Sequence, residues 1–410
     1  MKILQLSKKF PYPLKDGEAI AVTYLARAFA KLGSEVTLLS MNTSKHWFNM
    51  GELPHDFDHY AAIHTAYVDN RIRPWPALRN LFGQKSYHIE RFEEVAFAEK
   101  LTALLQQESF EVVQLESVYL APYIPIIRQY SSALIVLRAH NVEHEIWERV
   151  ATNGPPLKKW YLQQITPRLK KYEVENLNNY DLVVGITARD VERFRQLGLH
   201  QPTIVTPIGL DCRDYRPDYT SFQRPLSLSF IGSLDWMPNQ EGLKWFLDRV
   251  WTPLLAPQFP KLTFHIAGRT APDWLRRLRM ERVHFHGEVL SAPDFINQHS
   301  VMVVPLLSGG GMRAKILEGM AVGKAVLSTR IGMEGIEARH QQEALLADTP
   351  EEFAAALRYC RDQPDWLAAM GRRAQAFCAE NYDNLAIGRR LLQTYHGLTD
   401  TAPVFSYEHS

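Results

Sequence analysis

Short β-branched and leucine-rich runs, separated by stretches with helical spacing, recur along almost the whole chain, and this alternation restricts its fold more than any other feature. Strands that alternate with helices are joined by crossovers, and crossovers of that kind build a parallel sheet covered by helices. In the first half the strand-like runs are Ile3–Leu6, Val36–Leu39, Val112–Leu115, Leu134–Leu137 and Leu182–Ile186. Between the first two, Ala19, Val22, Leu25, Ala26, Phe29 and Leu32 recur at helical spacing, and Gly33 supplies a stop. A second series follows a polar, proline-bearing stretch from Asp211 to Pro225; its runs are Leu228–Ile231, Leu262–Ile266, Val283–Phe285, Val301–Pro305 and Ala325–Ser328.

The expected class is α/β, with two Rossmann-like, doubly wound parallel-sheet domains facing across a cleft, at residues 1–210 and 211–380. A C-terminal helix and tail, 381–410, is expected to pack back toward the first domain. At about 150 residues per domain, 410 residues allow two or three units. Ligands of such folds bind outside the carboxyl ends of the strands.

Lys plus Arg number 46 against 45 for Asp plus Glu, so no overall charge favours a nucleic-acid backbone as partner. Three cysteines, Cys212, Cys360 and Cys378, are too few for a disulfide framework and fit a reducing, cytoplasmic setting. The apolar run at the start stops at Lys8 and Lys9, which suits a first strand rather than a signal peptide. No stretch approaches the roughly 18 apolar residues that a span needs.

The most informative segment is Ser308-Gly-Gly-Gly-Met-Arg-Ala-Lys-Ile-Leu-Glu-Gly-Met-Ala321, which follows a strand and opens a helix. Three glycines let main-chain N–H groups approach an anion closely, and the helix N-terminus adds partial positive charge. Gly311, Lys315 and Glu318 fall near one helical stripe, with Glu318 about 10 Å along the axis from Gly311. A carboxylate there could accept hydrogen bonds from both ribose hydroxyls of a nucleotide, while Arg313 and Lys315 neutralise phosphate. The bland alternative is a tight turn followed by a solvated Lys315–Glu318 pair. Neither Gly-Lys-Ser/Thr nor Gly-x-Gly-x-x-Gly occurs here, which disfavours kinases, ATPases and ordinary dehydrogenases.

His140-Asn-Val-Glu-His144 has the spacing of an inverted zinc-protease motif, but zinc would need both histidines on one helix. His140 instead follows the strand Leu134–Leu137 directly, at its carboxyl end, so no metal is expected. Glu143 and Glu145 are expected as first-turn helix charges. Asp16 fits either a helix cap or a partner for an acceptor hydroxyl, and Asn239 either a cap or a ligand group. Arg71, Arg73, Trp75, Pro76, Arg79, Phe82 and Lys85 mix cations with aromatics, as do Lys158, Lys159, Trp160, Tyr161, Arg168, Lys170 and Lys171. Such clusters suit an anionic membrane surface or a lipid-diphosphate acceptor, or else a solvated basic face.

From Gly309 to Thr329 the chain resembles the donor-binding signature of the retaining, metal-independent glycosyltransferases of family four, which adopt the GT-B fold. Phe230-Ile-Gly-Ser-Leu-Asp-Trp-Met-Pro-Asn239, Arg138-Ala-His-Asn-Val-Glu, Thr206-Pro-Ile-Gly-Leu-Asp211 and Ile331-Gly-Met-Glu334-Gly extend the likeness along nearly the whole chain. The resemblance implies transfer of a sugar, with retention, from a nucleotide-diphosphate donor to an acceptor hydroxyl, with no cofactor and no metal required. It implies a donor site in the second domain and an acceptor site in the first, with a carbohydrate or lipid-linked saccharide as acceptor. Polysaccharide or glycolipid assembly, with peripheral contact at the inner face of the membrane, follows at the level of the family.

Carried across by position, Glu318 matches the glutamate on the nucleotide ribose and His140 a histidine beside the donor sugar. Gly310 stands where many members have a second glutamate, leaving the sugar to main-chain groups of Gly311, Met312 and Arg313. Asp16-Gly17 replaces a pair of glycines, so that Gly17 alone is left to bring an amide to the donor. Ser233-Leu-Asp-Trp236 replaces a Lys/Arg pair, which shifts the phosphate role to Arg313 and Lys315. Glu334 is a candidate at the sugar. These departures leave two alternatives: a non-catalytic subunit of this fold supporting a partner glycosyltransferase, or a sugar-nucleotide epimerase of the same fold.

Overall fold

Alternate residues of one strand point to opposite faces, so a strand apolar at every position must be covered on both sides. β1 (Lys2–Ser7) is covered on both sides: Ile3 packs into one core and Leu4 and Leu6 into the other. A computed structural model describes residues 1–14, 17–71, 80, 86–152, 156–309 and 311–400. It divides into two units: Met1–Pro207 with the chain from Leu385 onward, and Ile208–Asn384.

In the first unit β2 (Glu35–Thr43), β3 (Ala62–Val68), β4 (Val112–Leu115), β5 (Leu134–Ala139), β6 (Leu182–Gly185) and β7 (Thr203–Val205) join β1 in a seven-stranded sheet of order β3-β2-β1-β4-β5-β6-β7. Every pairing is parallel. The helix Gly17–Lys31 returns from β1 to β2 and buries Leu25, Ala26 and Phe29 on one face. On that face Ile387, Leu391 and Tyr395 of the helix Asn384–Thr399 complete the core, so the C-terminal helix packs within the first unit.

The second unit holds β8 (Ser227–Ile231), β9 (Thr263–Ala267), β10 (Val283–Gly287), β11 (Val301–Val304), β12 (Ala325–Ser328) and β13 (Leu345–Leu346), in the order β10-β9-β8-β11-β12-β13. These pairings too are parallel. In each unit one strand, β1 or β8, pairs on both sides, and the chain leaves it in opposite directions on the two sides. The loops beyond its carboxyl end diverge there and leave a crevice. Among the described residues no helix is long and apolar enough to cross a membrane.

Candidate functional site

In the second unit the loops leaving β8 and β11 meet at that point. The β11 loop runs from Pro305 to the helix Ala314–Ala321. Gly309 and Gly311 have φ of 110° and 78°, in the left-handed region. A Cβ on Gly309 would stand 2.9 Å from the Trp236 ring and 3.0 Å from the Arg313 guanidinium, so a side chain is excluded by space as well as by conformation. The helix Met237–Trp245 presses on the start of this loop; a Cβ on Gly242 would come 2.2 Å from the Pro305 carbonyl oxygen. Ser308 Oγ donates to Glu241 at 3.0 Å and ties the same two elements.

Arg313 is buried, with its guanidinium 5.4 Å from the Trp236 ring centroid and one N–H donated to the Gly311 carbonyl. Lys315 Nζ donates to Asn239 Oδ1 at 2.8 Å and lies 4.2 Å from the Phe230 ring centroid. Burial, and then the charge of Arg313, push its amine down to about 7, against the pull of Glu318. Glu318 Oε1 accepts from the Tyr215 hydroxyl at 3.3 Å; burial pushes its carboxyl up to about 7, opposed by the Tyr215 bond and by Lys315.

The helix begins at Ala314, so Gly311 precedes it instead of sharing a helical stripe with Lys315 and Glu318. Gly309 and Gly311, with positive φ, turn the main chain before the helix starts. Asn239 is not a cap, because Trp236 holds that position. Its amide nitrogen donates to the Ser233 carbonyl at 2.7 Å and its oxygen receives Lys315, so it fixes the amine against the β8 loop. Met312 is buried in this loop. Glu334 is half-buried in the turn after β12, at the same end of the sheet. Gly310 and Asp16 lie outside the described residues. Tyr215 and Trp236 were not singled out from sequence; Trp236 stands within the Phe230–Asn239 motif, while Tyr215 lies in the proline-bearing stretch with no pattern to mark it.

The first unit places His140 just beyond β5, its Nε2 2.9 Å from Glu116 Oε2. Glu116, one residue past β4, is fully buried and also receives Arg138 at 3.4 Å, Gln5 at 2.5 Å and Gln114. Burial alone would raise its carboxyl, but the Arg138 charge and the His140 and Gln5 bonds hold it down at about 2. Tyr395 donates to Gln114 at 2.6 Å, so the C-terminal helix braces the same polar row. Sequence reading stopped at Leu115 and missed Glu116, although a carboxylate at a strand end was the available signal.

Lys8, past β1, lies 3.5 Å from Glu18 and 3.7 Å from Glu143; Lys9 lies 3.3 Å from Glu18. Glu18 carries the net effect of burial, which raises its carboxyl, and of Lys8, Lys9 and His140, which bring it down to about 2. Glu143 does begin the helix Glu143–Thr152, yet it is more than a surface charge: Tyr119 donates to it at 3.1 Å, Trp147 donates to Tyr119 at 2.9 Å, and burial raises its carboxyl. Glu145 pairs with Arg193 at 2.7 Å. Gly17 opens its helix with no atom within 4 Å of an added Cβ, so packing does not require the glycine.

His144 is buried with Nδ1 2.5 Å from Glu173, while His140 faces Glu116; the two rings serve different carboxylates. Among the described residues no group of three or more His, Cys, Asp or Glu is arranged to hold a metal. Of the first basic cluster Arg71 alone is described, paired with Asp69 at 2.8 Å, and Arg73, Trp75, Pro76, Arg79, Phe82 and Lys85 lie outside the described residues. The second lies on the helix Pro156–Asn176, with Trp160 51% exposed and Arg168 donating to the Asn80 carbonyl at 2.5 Å.

Two parallel-sheet α/β units, one bearing a glycine-rich loop on β11, beside the strand where its chain order reverses, define a protein of the GT-B fold. Residues 225–362, within the second unit, match the family model of glycosyl transferases group 1. Sucrose-phosphate synthase from Thermosynechococcus elongatus has the same fold, with a TM-score of 0.72 at 16% identity, covering 98% of this chain and 100% of that one. Anabaena HepE in complex with UDP follows at a TM-score of 0.67 and 15% identity, covering 97% and 100%. The trehalose-6-phosphate synthase OtsA gives a TM-score of 0.62 at 14% identity, covering 97% and 99%. In sequence, an uncharacterised 44.6 kDa protein in the cps region of Klebsiella pneumoniae is 25% identical over 164 residues. That match takes in 38% of this chain and 42% of the Klebsiella protein.

Proposed function

We propose that the chain is a retaining, metal-independent glycosyltransferase that moves a sugar from a nucleotide-diphosphate donor to an acceptor hydroxyl. The observation that carries this reading is the β11 loop: bare main chain at Gly309 and Gly311, the basic side chains of Arg313 and Lys315, then Glu318 one helical turn beyond Lys315. The diphosphate sits on the loop and the helix N-terminus, and Glu318 accepts from the ribose hydroxyls. As the sugar leaves, charge grows on the diphosphate. Fixed donors at Gly311, Arg313 and Lys315 meet that charge, and loss of one such donor costs about 2.7–4 kcal/mol of transition-state stabilisation. Those groups do the work a metal does elsewhere.

In the first unit His140, oriented by Glu116, contacts a hydroxyl of the donor sugar, and the acceptor binds beside it. A carbohydrate or lipid-linked saccharide is the acceptor, and assembly of a cell-surface polysaccharide or glycolipid is the setting. The Klebsiella relative in a cps region and the UDP complex of the Anabaena protein support this choice. The reaction is placed in the cytoplasm, with peripheral contact at the membrane through the exposed Trp160 region.

The test is a transfer assay with candidate nucleotide sugars and saccharide acceptors, in the presence of a chelator, with the anomeric product read by NMR. Retention and chelator-insensitive turnover, lost in Lys315→Ala and Glu318→Ala, are expected. Epimerised donor formed without acceptor, or no turnover in a protein that still binds nucleotide, favours one of the two rival readings. Inversion would refute the stereochemical part.

A further inference from the structure

Cys212 and Cys378 are 166 residues apart in sequence and adjacent in the second unit. Cys212 opens the short turn Cys212–Asp214 and is half-buried; Cys378 lies near the end of the helix Pro364–Asn381 and is fully buried. The Cys212 thiol donates to the Cys378 carbonyl at 3.8 Å. Main-chain bonds hold the two segments together: Leu210 N–H to the Tyr382 carbonyl at 2.8 Å and Asn384 N–H to the Leu210 carbonyl at 2.9 Å.

Both cysteines also touch what holds Glu318. The Cys378 thiol donates to the carbonyl of Leu317, its chain neighbour, at 3.6 Å, and Cys212 lies three residues before Tyr215, whose hydroxyl binds the Glu318 carboxylate.

We infer that Cys212 and Cys378 are a thiol-modification site that closes to a reversible disulfide by exchange with a small-molecule disulfide such as oxidised glutathione. Cys212, the thiol open to solvent, attacks as thiolate one sulfur of the small disulfide and expels one small thiolate, which takes up the proton. Cys378 then loses its proton and attacks Cys212 Sγ, expelling the second small thiolate. Two protein thiols are oxidised and one small disulfide is reduced to two thiols. The neighbouring Cys378 side chain lowers the Cys212 thiol from its usual value, and Cys212 together with burial pushes Cys378 well above, which sets Cys212 as the attacking group. Closure removes the only hydrogen that Cys378 offers to Leu317, so the change reaches the helix carrying Glu318.

The inference stands apart from sugar transfer and is tested without substrate. The whole native protein is incubated with oxidised glutathione, and its peptides are mapped by mass spectrometry without reduction. The expected result is a cross-linked peptide joining Cys212 to Cys378, two hydrogens lighter, reopened by dithiothreitol, with Cys360 unmodified. In Cys378→Ala a glutathione adduct persists on Cys212. Hydrogen exchange of the peptide spanning Met312–Val322 changes by about twofold on oxidation of the wild type. Adducts without a cross-link, or Cys360 reacting as fast as Cys212, overturn the site; a cross-link with unchanged exchange overturns its connection to Glu318.

Discussion

Lys315 and Glu318 titrate near neutrality in opposite senses, so on the proposed function nucleotide affinity should be a sharp function of pH. Lys315 must be charged to hold a diphosphate, and with its amine pushed down to about 7 the free protein has lost that proton above neutrality. Glu318 must be ionised to accept from ribose hydroxyls, and with its carboxyl pushed up to about 7 it is protonated below neutrality. The fraction with both groups ready is about one quarter at pH 7 and about one twelfth at pH 8, so affinity for uridine diphosphate falls about threefold over that unit. From pH 8 to 9 the limiting slope of about tenfold per unit is nearly reached. On the acid side Glu318 produces the mirror decline.

Isothermal titration calorimetry in two buffers of different ionisation enthalpy counts the protons: uptake of about 0.8 per nucleotide at pH 8, and release of about 0.8 from the protein at pH 6. The β-phosphate also ionises near pH 6, so the acid limb is taken as the difference between wild type and Glu318→Gln. Lys315→Met removes the alkaline limb and Glu318→Gln the acid limb. Constant affinity from pH 7 to 9 with no proton uptake would refute the reasoning.

Three further outcomes follow from particular contacts. Tyr215→Phe removes the hydroxyl that pulls the Glu318 carboxyl down, so the acid limb should move to higher pH and thermal stability should fall by about 1 kcal/mol; an unmoved limb contradicts the pairing. Gly242→Ala drives a methyl into the Pro305 carbonyl and should cost about 1–3 kcal/mol in urea unfolding, with weaker nucleotide binding because the β11 loop shifts; wild-type binding would show that the helix does not set the loop. His265 and His299 are stacked at 4.3 Å in a cluster with His284 and His286, and they are held at about 4 and about 3, chiefly by burial and then by the charges of their neighbours. Lys324 adds to the effect at His299. Their folded values lie below the unfolded one, so the unfolded chain takes up protons first, and stability is full above about 6.5 and falls as pH drops toward 4. His265→Phe should flatten that fall in acid-unfolding curves, and an unchanged slope would remove these histidines as its cause.

Much of the fold was legible because strands buried on both faces read as continuous apolar runs. Val112–Leu115 and Ala325–Ser328 were located residue for residue in this way. β3, at a sheet edge, is half-buried along much of its length and its apolar run is interrupted by His64 and Thr65, so it was not seen. β13 has two residues, too few to form a period. The glycine-rich loop was legible for a local reason: glycine marks positive φ, and Gly309 and Gly311 adopt it.

What stayed hidden depends on contacts between distant residues. Asn239 reads as a helix cap until Lys315, 76 residues away, is seen to bond it. Glu116 acquires meaning from Gln5, 111 residues earlier, and from Arg138. The reach of the neutral-range titrations of Lys315 and Glu318 is likewise a product of burial, which no spacing records.

The central claim is that the loop before Ala314 grips a nucleoside diphosphate with Lys315 and Glu318. Its most direct measurement is the thermal unfolding of the native protein with uridine, guanosine and adenosine diphosphates, repeated in Lys315→Met and Glu318→Gln. At one hundred times the dissociation constant a bound nucleotide should stabilise the wild type by about 2.7 kcal/mol, and both variants should lose most of that gain. No stabilisation by any of the three, or equal stabilisation of wild type and both variants, would contradict it.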